Sequence, residues 1–255
     1  MKRGAVALFD ALGFRGIWRK HNVDAVLKKL QALREGASRV VASFQQRVES
    51  PFVGTNVKPT LGVTLLSDTV VVSATVDGAS DDMIHAWSSL LLASYGASAV
   101  IALGGKYAPY LAYRGCVAYG DFEMDQSFIV GPAVDEAANG EAQAEAAIVW
   151  FAPSAEAVIQ KAIAKVGAHA ETATPWFPWD IPMKGGGVYH THAVTPFFSA
   201  EIQEPDATHI LSPLDAATLR EHILSTFDDL TLEVAIKKQH TLRFLDAALD
   251  HAMSR

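Results

Sequence analysis

Two aspartates lie where a carboxylate needs a structural or chemical role. Asp10 ends the apolar run of "VALFDALGFRG", and Asp68 lies in "SDT" between two β-rich runs. Desolvating a carboxylate is costly, so each residue either has a local role, as a helix cap or a turn residue, or is held there for a cation. Two carboxylates and a nearby backbone carbonyl form a hard oxygen site that suits Mg²⁺ or Mn²⁺.

The residues that follow Asp10 favour an anion next to that cation. Gly13 would allow the backbone to approach a phosphate closely, and Arg15 adds a positive charge. We expect a short helix within residues 11–20, and the free amides at its start would bind phosphate.

The order of the predicted elements explains how the two aspartates would meet. A strand at residues 4–9 precedes a long helix, and the β-hairpin around Asp68 precedes a second helix that begins near Asp81. Further strands follow at "YLAYRGCVAYGDF" and "AIVWFAP". This order predicts the α+β class, with a ferredoxin-like βαββαβ core and helical additions. In such a core the first strand lies beside the hairpin, so both carboxylates are expected at one end of the sheet.

The remainder of the chain carries weaker signals. Residues 171–198 are rich in Pro, Trp and Gly, which predicts irregular structure plus a strand at "GVYHTHAVTPFF". The Trp-Pro cluster at 176–179 either covers a ligand or packs a long loop. His190 and His192 share one strand face, but no third zinc ligand is evident. We expect a domain at residues 1–200 and a helical extension at 201–255, packed on it or at a dimer interface.

Composition excludes several classes of protein. The chain has 255 residues, of which 50% are hydrophobic, and this is sufficient for a sizeable core. Its net charge of -7 argues against a broad nucleic-acid-binding surface. No apolar run reaches bilayer-spanning length without interruption, so neither a membrane span nor a signal peptide is expected. Cys116 is the single cysteine, which rules out an internal disulfide and is consistent with the cytoplasm.

The sequence resembles the class III nucleotidyl cyclases over about residues 4–153. In that family the first strand ends in Phe-x-Asp-x-x-Gly-Phe; this chain has Asp10, Gly13 and Phe14 at the matching positions, with a leucine in place of the first Phe. The family's second metal aspartate lies in a hairpin turn, as Asp68 does here. The segment "YRGCVAYGDF" is similar to the family's strand before the dimer-interface helix, and "IVGPAVDEAANGE" to its Gly-x-x-Val-Asn segment. The segment "WDIPMKGGGVYHTHAV" is a weaker match.

Differences from the purine cyclases indicate which group of cyclases the chain resembles most. Asp135 stands where those enzymes carry a ribose-orienting Asn, and Asn139 where they carry the transition-state Arg. Their base-selecting Lys and Asp would fall at Gly62 and Phe128. The pattern "FDxLGF", "SDT", "YRG…G" and "G…A…E", in which Glu141 is the last element, is most similar to the pyrimidine cyclases of bacterial Pycsar antiphage systems.

The resemblance implies an activity and its requirements. It implies cyclisation of UTP or CTP to the 3′,5′-cyclic monophosphate with release of pyrophosphate, in the cytoplasm, as a second messenger of antiphage defence. It also implies two Mg²⁺ or Mn²⁺ ions and active sites shared across a homodimer.

The resemblance further implies roles for particular residues. Asp10, Asp68 and the carbonyl of Ala11 would bind the metal ions. The backbone of Leu12, Gly13 and Phe14 and the side chain of Arg15 would hold phosphate. Arg114 and Lys184 are candidates for the cation that position 139 lacks. Arg114 could equally be a structural ion-pair residue, and Lys184 a surface residue of a flexible loop.

Two other functions remain open from the sequence. The loss of Arg at position 139 favours an inactive cyclase-like module that binds nucleotide and regulates a partner, whereas retention of both aspartates opposes it. A palm-type polymerase or diguanylate cyclase shares the two-metal chemistry, but the chain has no GGDEF-like sequence.

Overall fold

A mixed β-sheet with helices packed against it forms the framework of the protein. The computed structural model describes residues 1–14, 16–49, 58–78, 81–125, 128–167, 174–197, 213–228 and 231–253. The strands are β1 (Lys2–Leu12), β2 (Lys58–Leu66), β3 (Thr69–Asp77), β4 (Ala112–Met124), β5 (Ile129–Val130), β6 (Val149–Phe151), β7 (Trp176–Met183) and β8 (Gly187–Val194). The helices are α1 (Val23–Glu49), α2 (Asp82–Lys106), α3 (Pro132–Glu141), α4 (Pro153–Val166), α5 (Pro213–Ser225) and α6 (Leu232–Met253).

The strand order confirms the predicted fold class. The sheet runs β2-β3-β1-β4-β6-β8-β7, with β5 paired to β4. Strands β1 to β4 pair with one another in antiparallel fashion, and α1 and α2 connect β1 to β2 and β3 to β4. This is the βαββαβ arrangement of a ferredoxin-like core. Strand β6 then pairs in parallel with β4 and extends the sheet towards β8 and β7.

Helix α2 packs closely on one face of this sheet. A Cβ added at Gly96 would lie 2.7 Å from Cγ1 of Val72 on β3, and one at Gly104 would lie 2.6 Å from the ring of Tyr113 on β4. By length and composition α2 could cross a membrane, yet 72% of its apolar window is buried inside the protein. Its apolar character is therefore accounted for by contact with the core.

Two local predictions are wrong. The helix expected within residues 11–20 is limited to a 3₁₀ turn at Ile17–Arg19, because β1 continues to pair with β4 as far as Leu12. The Trp-Pro cluster is not a loop but part of β7, which pairs with β8 along its whole length. Strand β7 is at the end of the sheet order, and an edge strand tolerates prolines that cannot donate ladder hydrogen bonds.

The two C-terminal helices contact the core. The Ala147 amide donates a hydrogen bond of 2.9 Å to Oγ1 of Thr241 on α6, and the rings of Phe177 and Phe244 stack with centroids 5.7 Å apart. On α5, a side-chain carbon of Leu219 lies 2.2 Å from where a Cβ on Gly105 would be. The division of the chain at residue 200 stays a prediction, and residues 198–212 lie outside the described part.

A buried lysine closes the C-terminal end of α2. Nζ of Lys29, on α1, donates hydrogen bonds to the carbonyls of Leu103, Gly104 and Tyr107 at 2.9, 2.7 and 2.6 Å. Lys29 is only 4% exposed. The last carbonyls of a helix have no partner within the helix, and a cation there also interacts favourably with the helix dipole. Lys29 therefore joins α1 to the segment that leads into β4.

We expect Lys29→Met to lower the free energy of unfolding by about 2–3 kcal/mol below about pH 7, because it removes the hydrogen bonds to three backbone carbonyls. Burial lowers the pKa of Lys29 to about 7, so the amine is charged below that pH. Urea unfolding of the purified chain would measure this change. Lys28→Met is the matched control, because Lys28 is exposed. Equal stability of the two variants would contradict the structural role of Lys29.

Candidate functional site

Asp10 projects from the sheet face opposite α2. It is paired with Thr69 on β3 and with Arg114 on β4, and residues paired in this way point to the same side. Its neighbour Phe9 points to the other side, where its ring meets the ring of Tyr113 at 5.4 Å under α2. The period-2 alternation of β1 thus directs Phe9 towards α2 and Asp10 towards the opposite face.

Asp68 reaches the same point through the hairpin turn. Ser67 and Asp68 alone connect β2 to β3, and Ser67 adopts a left-handed backbone with φ 63°. The next residue, Thr69, is the strand partner of Asp10, and its Oγ1 donates a hydrogen bond of 3.2 Å to Oδ1 of Asp10. Asp68 lies close enough to Asp10 for its negative charge to raise the pKa of Asp10. The structure therefore brings the two sequence-predicted carboxylates together.

The electrostatics of this pair are unfavourable when both residues are charged. Burial, followed by the negative charges of Asp68 and Glu141, raises the pKa of Asp10 from 3.8 to about 6. The hydrogen bond from Thr69 acts in the opposite direction. Burial, followed by the negative charges of Asp68 and Asp10, also raises the pKa of Tyr113, which lies in the core. A positive charge placed between Asp10 and Asp68 would relieve the repulsion.

Arg114 lies directly beside this pair but is bound to a different carboxylate. Its Nε and Nη2 donate to Oε1 of Glu141 at 3.2 and 2.9 Å, and both side chains are nearly buried. Glu141 ends α3, which lies against β4 so closely that a Cβ on Gly140 would be 2.5 Å from Sγ of Cys116. Arg114 therefore forms an ion pair, which was one of the two roles that the sequence allowed for it. This ion pair lies next to the two aspartates.

Lys184 lies in the exposed turn between β7 and β8, and this turn is attached near the site. The Lys184 amide donates to the carbonyl of Gln143 at 2.8 Å, just after α3. Burial, then the positive charges of Arg114 and Lys237, lower the pKa of the Lys184 side chain. Lys184 is therefore within electrostatic reach of Arg114, although 70 residues separate them in the chain.

The loop after Asp10 differs from the predicted phosphate cradle. The Ala11 side chain is buried, and its carbonyl accepts a hydrogen bond of 3.4 Å from the amide of Phe14. Leu12 remains within β1, and Gly13 has φ 74°, a backbone conformation that favours glycine. Phe14 is buried with its ring against Trp18.

The remaining expectations about this loop concern Arg15 and the start of a helix. Arg15 lies outside the described residues. The 3₁₀ turn that replaces the expected helix has three residues and offers no helix N-terminus comparable to that of an α-helix, because β1 occupies the chain as far as Leu12. The helix-start amides are therefore a wrong expectation, and the metal and phosphate roles of residues 11–14 stay predictions.

The donor set fits divalent metal ions. Mg²⁺ and Mn²⁺ prefer carboxylate and carbonyl oxygens, and Asp10 and Asp68 present converging carboxylates whose repulsion a cation would relieve. Within the described part of the chain, no group of three or more His, Cys, Asp or Glu side chains is arranged to hold a metal. A metal would thus depend on these two side chains, with the Ala11 carbonyl as the predicted third ligand.

The other singled-out residues have structural partners or are exposed. Nδ1 of His190 is paired with Asp180, and Nδ1 of His192 with Glu156, at 2.5 and 2.8 Å. Cys116 is buried in the core, as its apolar strand indicates. Trp176 is completely buried in β7, so packing rather than ligand contact accounts for it.

The positions that differ from the purine cyclases are largely accessible. Asp135 and Asn139 are exposed on α3, and the Asn139 carbonyl accepts a hydrogen bond of 3.0 Å from the Gln143 side chain. Phe128 is 67% exposed beyond the end of β4. The hydrogen bond between Asn139 and Gln143 involves no positively charged group.

Sequence reasoning did not identify two residues of this region. Thr69, which bonds to Asp10, could have been found from its place in the hairpin beside Asp68. Lys237, which acts on Lys184 from α6, carried no local signal, because its position depends on how a distant helix packs.

Comparison with known proteins gives similarity of structure alone. No family model and no curated protein matches the chain. Among solved structures, the catalytic core of a rhodopsin-guanylyl cyclase with converted specificity, in complex with ATPαS, is 16% identical with a TM-score of 0.48. The guanylyl cyclase domain of the RhoGC fusion protein from the aquatic fungus Blastocladiella emersonii, and a double mutant of it, are both monomeric crystal forms and are each 14% identical with a TM-score of 0.49.

Each of these structures covers 76% of this chain and is itself covered to 96%. They are cyclase catalytic domains with an α+β fold. At this level of similarity they carry no conclusion about the activity of this chain, which depends on its own geometry.

We expect Asp10→Asn to stabilise the metal-free protein at pH 7.5. The pKa of Asp10 is raised in the folded state, so protonated Asp10 contributes to the free energy of unfolding. This contribution is fully present below about pH 4 and is lost as the pH rises through about 6. After allowance for solvent screening, the gain is about 1 kcal/mol at pH 7.5 and near zero at about pH 4.

Urea unfolding in EDTA at both pH values would measure this gain. Asp250→Asn, at an exposed position on α6, is the control and should have no effect. Adding Mn²⁺ should stabilise the wild type more than Asp10→Asn. An Asp10→Asn variant that is no more stable than wild type at pH 7.5 would contradict the confinement of the two carboxylates.

Proposed function

We propose that this chain is a metal-dependent pyrimidine nucleotide cyclase, which converts UTP or CTP to the 3′,5′-cyclic monophosphate and pyrophosphate. The observation that carries the proposal is the convergence of Asp10 and Asp68, from β1 and the β2–β3 turn, on one face of the sheet. Their mutual repulsion favours binding of divalent cations, and divalent cations in turn favour a triphosphate.

The proposed reaction is an intramolecular phosphoryl transfer. The ribose 3′-oxygen forms a bond to the α-phosphorus as the bond from that phosphorus to the α–β bridging oxygen breaks. Pyrophosphate leaves, and the 3′-hydroxyl proton passes to solvent. Metal ions bound by Asp10 and Asp68 would lower the pKa of that hydroxyl and neutralise phosphate charge. Asp10 and Asp68 would hold these ions and so orient the triphosphate, and a bound cation would lower the raised pKa of Asp10.

Arg114 and Lys184 are the proposed cations of the chain. Arg114 is on the strand next to Asp10, and Glu141 holds its guanidinium in a fixed orientation. A fixed guanidinium can stabilise charge that develops on the phosphorus in the transition state without reorganising. Lys184, in the β7–β8 turn, would bind the phosphates that leave. Arg114 thus takes the role that Asn139 cannot fill.

The pyrimidine preference is supported by motif resemblance and by what the base-reading positions lack. Gly62 and Phe128 offer no charged or amide group with which to read a purine, and Phe128 is exposed. The motifs in the first half of the chain resemble those of Pycsar cyclases. A cytoplasmic location, a homodimer with shared active sites and a role in antiphage defence belong to the same proposal.

A second candidate function is an inactive nucleotide-binding regulatory module. Asn139 is exposed on α3 and carries no charge, which favours this reading. Binding of nucleotide without any cyclic product would identify it.

A panel of UTP, CTP, ATP and GTP with Mn²⁺, analysed by mass spectrometry, tests the proposal. We expect cyclic product from UTP or CTP, and a loss of about 100-fold or more in Asp68→Ala, because the variant lacks one of two metal-binding carboxylates. Asp77→Ala, at the exposed far end of β3, should keep activity. Product from ATP or GTP alone would overturn the pyrimidine preference, and undiminished product in Asp68→Ala would overturn the metal site.

Arg114 gives an independent test of the cation assignment. We expect Arg114→Lys to lower kcat by about 10- to 100-fold with a smaller change in KM, because lysine keeps the charge but cannot reproduce the fixed two-donor geometry on Glu141. Steady-state kinetics on the preferred triphosphate would show the split. Arg243→Lys, on the exposed face of α6, is the control. A change confined to KM would contradict a role of Arg114 in the transition state.

A further inference from the structure

Helix α6 presents a lysine on its inner side near the proposed site. Lys237 is one turn before Thr241, and positions four residues apart share a helix face. Thr241 is completely buried, and its Oγ1 accepts the Ala147 amide hydrogen bond. The Lys237 side chain is accordingly only 16% exposed, unusually low for a lysine on a terminal helix. Lys237 thus lies on the side of α6 that faces the segment at residues 143–147.

The β7–β8 hairpin contacts the same segment. The Lys184 amide donates to the Gln143 carbonyl at 2.8 Å, and the Glu145 amide donates to the Pro182 carbonyl at 2.7 Å. A single bridge also pairs Ala144 with the last residue of β7. Lys184 and Lys237 therefore both border residues 143–147, and the positive charge of Lys237 contributes to lowering the pKa of Lys184.

The two ion pairs of this region differ in their exposure to solvent. Arg114 is paired with Glu141 inside the protein, whereas Lys237 is paired with Glu233, whose side chain is 70% exposed. A pair with an exposed carboxylate is weak, so a stronger anion could replace Glu233. Lys184 has no ion-pair partner among the described residues that the structure records. Two lysines next to each other, one weakly paired, form a place where an anion is favourable.

From this geometry we propose that Lys184 and Lys237 form an anion subsite for the terminal phosphates of the nucleoside triphosphate, so that α6 is part of the substrate site. The identity of the anion as a nucleotide's phosphates rests on the proposed function. Arg114 is the strand partner of Asp10, and Arg114 and Lys237 both act on Lys184. A metal-bound triphosphate needs carboxylates for its metal ions and cations for its outer phosphate oxygens, and these residues supply both.

Calorimetric titration of the full chain with inorganic triphosphate in the presence of Mg²⁺ tests the subsite. We expect Lys237→Gln to weaken binding by about 5- to 10-fold, and Lys237→Arg to keep it within about 2-fold. Lys238→Gln, the adjacent exposed lysine, is the matched control and should change binding by less than about 2-fold. Glu233→Gln should tighten binding, because it removes the carboxylate that competes for Lys237.

These measurements separate the subsite from the proposed reaction. Inorganic triphosphate cannot be cyclised, so its binding is measured whether or not the chain makes a cyclic nucleotide. Wild-type binding by a folded Lys237→Gln variant, or weaker binding by Glu233→Gln, would overturn the subsite and leave the cyclase proposal standing. Absence of cyclic product together with Lys237-dependent triphosphate binding would overturn the cyclase proposal and support the subsite.

Discussion

The confinement of two like-charged side chains at one end of the sheet is the constraint on which the rest of the site depends. Asp10 cannot move away, because β1 is hydrogen-bonded to β3 on one side and to β4 on the other. Asp68 cannot move away, because it is one of two residues that join β2 to β3. The ladder hydrogen bonds of the sheet thus hold together two carboxylates that would separate in a flexible chain, and their repulsion is a driving force for cation binding.

The same sheet separates the core from the site. Helix α2 covers one face, and close contacts at its glycines exclude water there. The other face carries the charged side chains, with α3 packed across β1 and β4. The contact between Gly140 and Cys116 brings the end of α3 near the sheet, and this brings Glu141 within reach of Arg114. Packing in the apolar region therefore decides where a charged group of the site is held.

The C-terminal helices connect the core to the site. Thr241 and Phe244 anchor α6 to the segment after α3 and to β7, so that the first turns of α6 lie beside the β7–β8 hairpin. The same anchoring gives Lys237 its position. The contacts of Thr241 and Phe244 thus fix the packing of α6 and also bring the charge of Lys237 near Lys184.

Local patterns in the sequence determined the long helices, the hairpin around Asp68, the α+β class and the choice of both aspartates. Alternation within a strand and turn chemistry depend on residues near one another in the chain. Tertiary structure decided three features: the end of β1 at Leu12, the strand at residues 176–183 and the position of Lys237. Each depends on pairing or packing with a segment 90 or more residues away, or, for β7, on an edge position that tolerates proline. No local periodicity records such contacts, because the free energy that selects them arises when distant segments are packed together.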